Sequence, residues 1–241
     1  MLRLLLLQAY NKPAAAVFSV SLSGKCCFPA AKCAILSQCN REIYEVKIMK
    51  YVLDVHTHTL ASGHAYNTIR EMAMAASEKG LELLGITEHG VAMPGTCNAF
   101  YFDNTKMLNR RMFGVEMLFG VEANIMDYNG NLDMEERLMK RMDVVIASMH
   151  IPTIRPGTRE ENTHAYLGAM KNPYVDIIGH PDDGRYPVDF LALVQAAKEY
   201  HVLLELNNNS GPPLQQGERG GECEDHAQIL YGISGSHCHE Q

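Results

Sequence analysis

From position 51 onward, short apolar runs recur, and each stops at a residue type that binds metals or moves protons. Tyr51–Val55 stops at His56, Leu83–Thr87 at Glu88 and His89, and Glu116–Val121 at Glu122. Val144–Met149 then stops at His150, Tyr174–Gly179 at His180, and Val202–Leu206 at Asn207. Successive steps from His56 to His180 are 33, 33, 28 and 30 residues, the length of one strand-plus-helix unit. The gaps hold helix-like text: Thr68–Lys79 stopped by Gly80, Met134–Met142, Glu161–Met170 ahead of Pro173, and Val188–Tyr200 with Leu191, Val194, Ala197 and Tyr200 on one face. The segment 91–112 is loop-rich. Strand alternating with helix predicts an α/β fold with a parallel sheet. Six such units predict a closed or nearly closed barrel, in which the C-terminal strand ends form the active face.

The residues at those ends form one chemical set. His56 and His58 are two apart in a strand, so both imidazoles reach the same side; Asp54 is expected on that side too. His64 follows in a Ser-Gly-His-Ala loop, His89 closes the second strand, and Glu122 closes the third with a carboxylate able to bridge two cations. His150 and His180 close the next two. Because all occupy equivalent positions, a shared metal site explains them better than independent surface histidines. Arg155 and Arg185 follow the fourth and fifth strands and are the candidate phosphate contacts, through the planar guanidinium fork. His164, His201 and Cys97 lack partners in the pattern and are left out, and Asn207 and Asn208 read equally as a turn or a substrate contact.

Composition narrows the class. With 21 Lys+Arg against 28 Asp+Glu the formal net charge is −7, and no basic cluster offers a footprint for nucleic acid. No apolar run approaches the roughly 18 residues of a membrane span. Residues 1–48 differ: they carry six Lys/Arg and two Glu, four of the seven cysteines and none of the 11 histidines. They show neither helical nor strand periodicity and are expected to be a non-native or disordered extension ahead of Met49. Scattered cysteines without a CxxC pair predict a reducing, cytoplasmic setting.

Taken in order, Asp54-Val-His56-Thr-His58-Thr59, Ser62-Gly-His64-Ala-Tyr66, Ile86-Thr-Glu-His89-Gly90, Gly120-Val-Glu122-Ala-Asn124, Ser148-Met-His150, Gly179-His180-Pro181 and Leu204-Glu-Leu-Asn207-Asn208 resemble the PHP (polymerase and histidinol phosphatase) family, within it the small YcdX-like phosphatases. The resemblance implies a distorted (β/α)7 barrel, here with about six βα units and the last strand missing. It also implies up to three divalent transition metals, zinc, manganese or iron. His56 and His58 are then expected on one metal, Glu122 bridging it to a second held by His150 and His180, and His64 and His89 on a third. Glu122 and His150 are the expected catalytic residues. The implied activity is a metal-dependent phosphatase or phosphoesterase that hydrolyses a small phosphorylated substrate through a metal-bound hydroxide, without nucleic acid or membrane as partner. A metal-binding remnant without activity, or an exonuclease module of the same family, are the alternatives.

The resemblance stops after Asn208. Relatives continue into a seventh strand and an Asp-x-His element, whereas here the text turns Gly/Gln/Glu-rich. A slip of the reading frame near Asn209–Gly221 is the expected cause, with 49–210 as the barrel domain and 211–241 as an aberrant tail in which His237 and His239 are not ligands.

Overall fold

A computed structural model describes residues 52–207 and the strand 229–232. The expectations for residues 1–48, for the frame slip at 209–221, and for Asn208, His237 and His239 fall outside the described residues. Seven strands run parallel: β1 (Leu53–Thr57), β2 (Leu83–His89), β4 (Val115–Asn124), β5 (Val145–Ser148), β6 (Ile177–Ile178), β7 (Leu203–Asn207) and β8 (Ile229–Gly232), hydrogen-bonded in that order. The two-residue β3 (Arg111–Met112) is antiparallel to β4. The sheet curls into an α/β half-barrel, which brings β8 alongside β1. The sequence places no strand after Asn207. The structure adds β8 from the Ile-Leu-Tyr-Gly run within the expected tail, in register from Leu204↔Ile229 to Asn207↔Gly232. Such pairing satisfies backbone groups that β7 would otherwise leave as a bare edge.

Among the described residues five α-helices join the strands: α1 (Ile69–Glu78), α2 (Ala99–Asn104), α3 (Glu136–Met139), α4 (Arg159–Met170) and α5 (Phe190–Tyr200). Both α1 and α4 begin with a reciprocal capping box, Thr68 with Glu71 and Thr158 with Glu161, which satisfies two N-terminal donors each. Asp189 caps α5, and His201 ends it in the left-handed conformation at φ 57°. The amphipathic text of 134–142 yields one α-helical turn, because the chain must return at once to β5.

One face of the curled sheet explains the site. Val55, Leu118, Val144, Ile146 and Ile177 form an inner apolar cluster, with Leu53, Leu83 and Leu203 against it. Continuing up the same faces at a period of two, Leu118 leads to Glu122 and Leu203 to Glu205. The barrel is therefore apolar below and ligand-bearing above. In β1 the phase changes. A bulge between Asp54 and Thr57 inserts one extra residue relative to β2, so Val55 joins the inner cluster while His56 and His58 still meet Glu122 above it. The opposite face packs on α4 and α5 through a larger core with Val121, Ala123, Tyr166 and Leu193.

Gly168 sits inside α4, where alanine ordinarily gains about 1 kcal/mol in helix propensity. A Cβ there would lie 2.0 Å from the carbonyl oxygen of Asn129, a backbone atom that cannot step aside. Gly168→Ala is therefore expected to destabilise by about 2–3 kcal/mol, overpacking outweighing propensity. A midpoint of chemical unfolding at or above that of the parent would contradict it.

Candidate metal centre

Glu122, near the end of the central strand β4, is fully buried. Five imidazoles surround its carboxylate. Oε1 lies 3.1 Å from His56 Nε2, 3.2 Å from His150 Nε2 and 3.0 Å from His180 Nε2. Oε2 lies 3.2 Å from His58 Nε2 and 2.8 Å from His89 Nδ1. His64 joins through His89, their Nε2 atoms 2.6 Å apart. All seven residues that the sequence nominates as ligands thus come together. The grouping differs from expectation: His89 reaches Glu122 as well as His64, and falls with Glu122 and His150 in one potential site that does not include His180, while His56, His58 and Glu122 make another.

Neighbouring groups fix which ring nitrogen carries hydrogen. His58 Nδ1 is 3.0 Å from Ser62 Oγ, and that hydroxyl spends its own hydrogen on Glu88 at 2.5 Å. Ser62 must therefore accept from His58, which leaves Nε2 of His58 as a bare lone pair. His150 Nδ1 donates to Asn124 Oδ1 at 2.8 Å, because the Asn124 amide nitrogen is committed to Asp133 at 2.6 Å. Its Nε2 is likewise bare. Burial pushes the His58 imidazole down to about 4 and lowers that of His150, so both are neutral at ordinary pH. Burial would raise the Glu122 carboxyl, but the charge of His56 beside it overrides that and holds it well below the usual range. Two neutral lone pairs therefore press on an ionised carboxylate from either side. That contact is repulsive unless a cation lies between. Glu122 Oε2 and His89 Nδ1 tell the same story: buried, close, and without a hydrogen bond. The donor set fits a transition metal, since imidazole and carboxylate are its preferred ligands.

Glu205 in β7, which the sequence alone does not single out, is buried and ties His56 to His180. Oε1 accepts from His56 Nδ1 at 2.8 Å, and Oε2 accepts from the His180 backbone N–H at 2.8 Å. The second bond holds His180 at φ 31°, a backbone conformation uncommon outside glycine. Burial opposes charge on His56, but Glu122 and Glu205 on either side prevail and raise it, so a proton is held where a cation would serve. Asp54 accepts from the His56 backbone N–H at 3.2 Å, and burial raises its carboxyl to about 7. Glu88 accepts from Thr59, Ser62 and Tyr101.

The other nominated residues make their described contacts elsewhere. Arg185 is taken up by Asp183 through Nε at 2.9 Å and Nη2 at 2.6 Å. Arg155 is exposed on the loop after β5, its carbonyl accepting from the Tyr128 hydroxyl. His164 bonds the Tyr128 carbonyl, and His201 is the α5 cap, so neither belongs to the site. Burial pushes the Cys97 thiol up to about 11, which removes it as a nucleophile.

Known proteins share this span. A probable phosphatase of Clostridium novyi is 57% identical over 162 residues, 67% of this chain and 66% of that protein. One of a Thermoanaerobacter species is 53% identical over 163 residues, again 67% and 66%. The chain spans about two thirds of the length of the curated relatives it matches. A crystal structure of histidinol phosphate phosphatase from Lactococcus lactis, complexed with zinc, L-histidinol and phosphate, matches at TM-score 0.46 and 21% identity, over 64% of this chain and 72% of that one. Among the described residues no helix is long and apolar enough to cross a membrane. The sequence profile of the PHP domain matches residues 54–209, the stretch that carries every residue around Glu122, and the chain belongs to the PHP domain family.

Proposed function

We propose that the protein is a metal-dependent phosphatase, a phosphoric ester hydrolase acting on a small phosphorylated molecule. The observation that carries this reading is the pair of neutral imidazoles, His58 and His150, whose bare nitrogens face opposite oxygens of the Glu122 carboxylate. The naming of its relatives as probable phosphatases supports the reaction class. Zinc, manganese and iron suit the donors, and up to three ions would be held: by His56, His58 and Glu122, by Glu122, His150 and His180, and by His64 and His89. When bound, such ions acidify water and neutralise charge developing on a phosphoryl group.

The protein's own residues set the geometry. Glu122 stands within reach of five imidazoles drawn from all three proposed ion sets, and as a carboxylate it would serve the first two in common. His150 is fixed in tautomer and direction by Asn124, and its Nε2 stays available as a donor of electrons rather than of a proton. Arg155 is proposed to meet a phosphate oxygen; Arg185 would first have to leave Asp183.

Stripping the full chain with a chelator should abolish hydrolysis of p-nitrophenyl phosphate, and adding back zinc, manganese or ferrous ion should restore it. Full turnover in protein shown by elemental analysis to hold no metal would end the proposal.

A further inference from the structure

We infer that Asp133 is a positioning residue for the centre, selecting through Asn124 the tautomer in which His150 can bind a cation; this rests on the metal-dependent reading above. Asp133 lies in the loop after β4, nine residues beyond Asn124 and at no ligand position. Its carboxylate nevertheless makes three bonds toward the site. Oδ1 accepts from the Asn124 backbone N–H at 2.8 Å. Oδ2 accepts from the Asn124 side-chain amide at 2.6 Å and from the Ala92 backbone N–H at 2.8 Å. The Asp133 N–H in turn donates to the Asn124 carbonyl at 3.1 Å. The bond from the Ala92 N–H ties down the loop that follows His89. Gly90 makes room for it, since a Cβ there would stand 2.3 Å from Asp133 Oδ1.

A primary amide can turn over, exchanging its oxygen for its nitrogen, at little cost in shape. Asp133 removes that freedom. A carboxylate only accepts, so it holds the Asn124 nitrogen and leaves the Asn124 oxygen for His150 Nδ1–H. Left to itself, His150 would favour the other tautomer, donating Nε2–H to the Glu122 carboxylate 3.2 Å away. That tautomer has no lone pair toward the site and cannot be a ligand. Asp133 thus opposes the local preference of His150 through one intervening side chain, that of Asn124.

The test reads the tautomer directly, by nitrogen-15 NMR of the imidazoles in the full chain after chelation, alongside metal affinity by competition titration. Wild type should show His150 as Nδ1–H. In Asp133→Leu no acceptor remains for the Asn124 amide nitrogen, Asn124 is free to turn over, and His150 should move toward Nε2–H. Metal affinity should fall about 10–100-fold, the usual effect of losing an outer hydrogen-bond partner. Combining Asn124→Asp with Asp133→Asn gives His150 Nδ1–H an acceptor that cannot turn over into a donor, and should keep both readouts as in wild type. This double variant also decides the matter if Asp133→Leu does not fold. Retention of Nδ1–H and full affinity in Asp133→Leu, or Nε2–H in wild type or in the double variant, overturns the inference. Wild type that binds no metal while the tautomer still follows Asp133 would sink the metal reading and leave the positioning role standing.

Discussion

Glu122→Gln is expected to cut hydrolysis of p-nitrophenyl phosphate by about 10³-fold, the scale lost when a group acting directly on reacting charge is removed. Shape is nearly conserved, so the effect is chemical. The buried carboxylate supplies one negative charge and two acceptor oxygens, which divide five imidazoles into two sets. An amide keeps one oxygen and turns the other into a donor. That donor faces either the His56, His150 and His180 side or the His58 and His89 side, and in each case drives a cation out. Metal per chain, by elemental analysis, should fall with turnover. The fold should remain, because the apolar cluster beneath the site does not involve Glu122, and far-ultraviolet circular dichroism should be unchanged. Turnover like that of the parent would refute the bridging role.

Much of this site can be read before folding, for a physical reason. In a parallel α/β sheet each strand ends on one face of the molecule, so a ligand-type residue after each apolar run needs no tertiary knowledge to be placed. His56, His89, Glu122, His150 and His180 announce themselves in that way. What escapes is whatever depends on pairing between strands. Glu205 sits inside Leu-Leu-Glu-Leu-Asn and reads as the polar half of an alternating strand. Its role exists only because β7 lies beside β6 and the sheet curls β1 toward it. Asp133 is hidden in an ordinary Asn-Gly-Asn-Leu-Asp loop, which the Ile125↔Leu132 bridge folds back onto Asn124. The β1 bulge has no sequence mark at all, although strict alternation would have separated Val55 from the face it shares with Leu118. Caps mark helix starts more sharply than periodicity does: Thr158 with Glu161 is a capping box that places the start of α4 at Arg159, two residues before the apolar periodicity suggests. In 134–142 the amphipathic pattern is real, but it buries Leu138 and Met139 from one α-helical turn rather than from a full helix.

Glu205→Gln should weaken metal binding about 10–100-fold and lower turnover at least in proportion. Both partners of this carboxylate are donors, His56 Nδ1–H and the His180 backbone N–H. An amide can accept from only one of them. The backbone N–H cannot change its chemistry, whereas His56 can move its hydrogen from Nδ1 to Nε2. The amide oxygen therefore goes to His180, the amide nitrogen faces His56 Nδ1, and His56 becomes the Nε2–H tautomer. Its Nε2 then donates to Glu122 and is lost as a ligand. The His180 backbone, held at φ 31°, keeps its anchor, so the damage is confined to His56. Glu205→Leu removes both acceptors, leaves a buried backbone N–H unpaired and releases His180 from its strained conformation. It should cost more, about 1–3 kcal/mol of stability beyond the loss of metal. The pair of variants separates the two functions of one carboxylate. Glu205→Gln should lose metal affinity with little change in the unfolding midpoint of the metal-free protein, and Glu205→Leu should lose both. Equal midpoints for the two variants would show that the His180 contact contributes nothing, and wild-type metal affinity in Glu205→Gln would show that His56 does not depend on Glu205 for its tautomer.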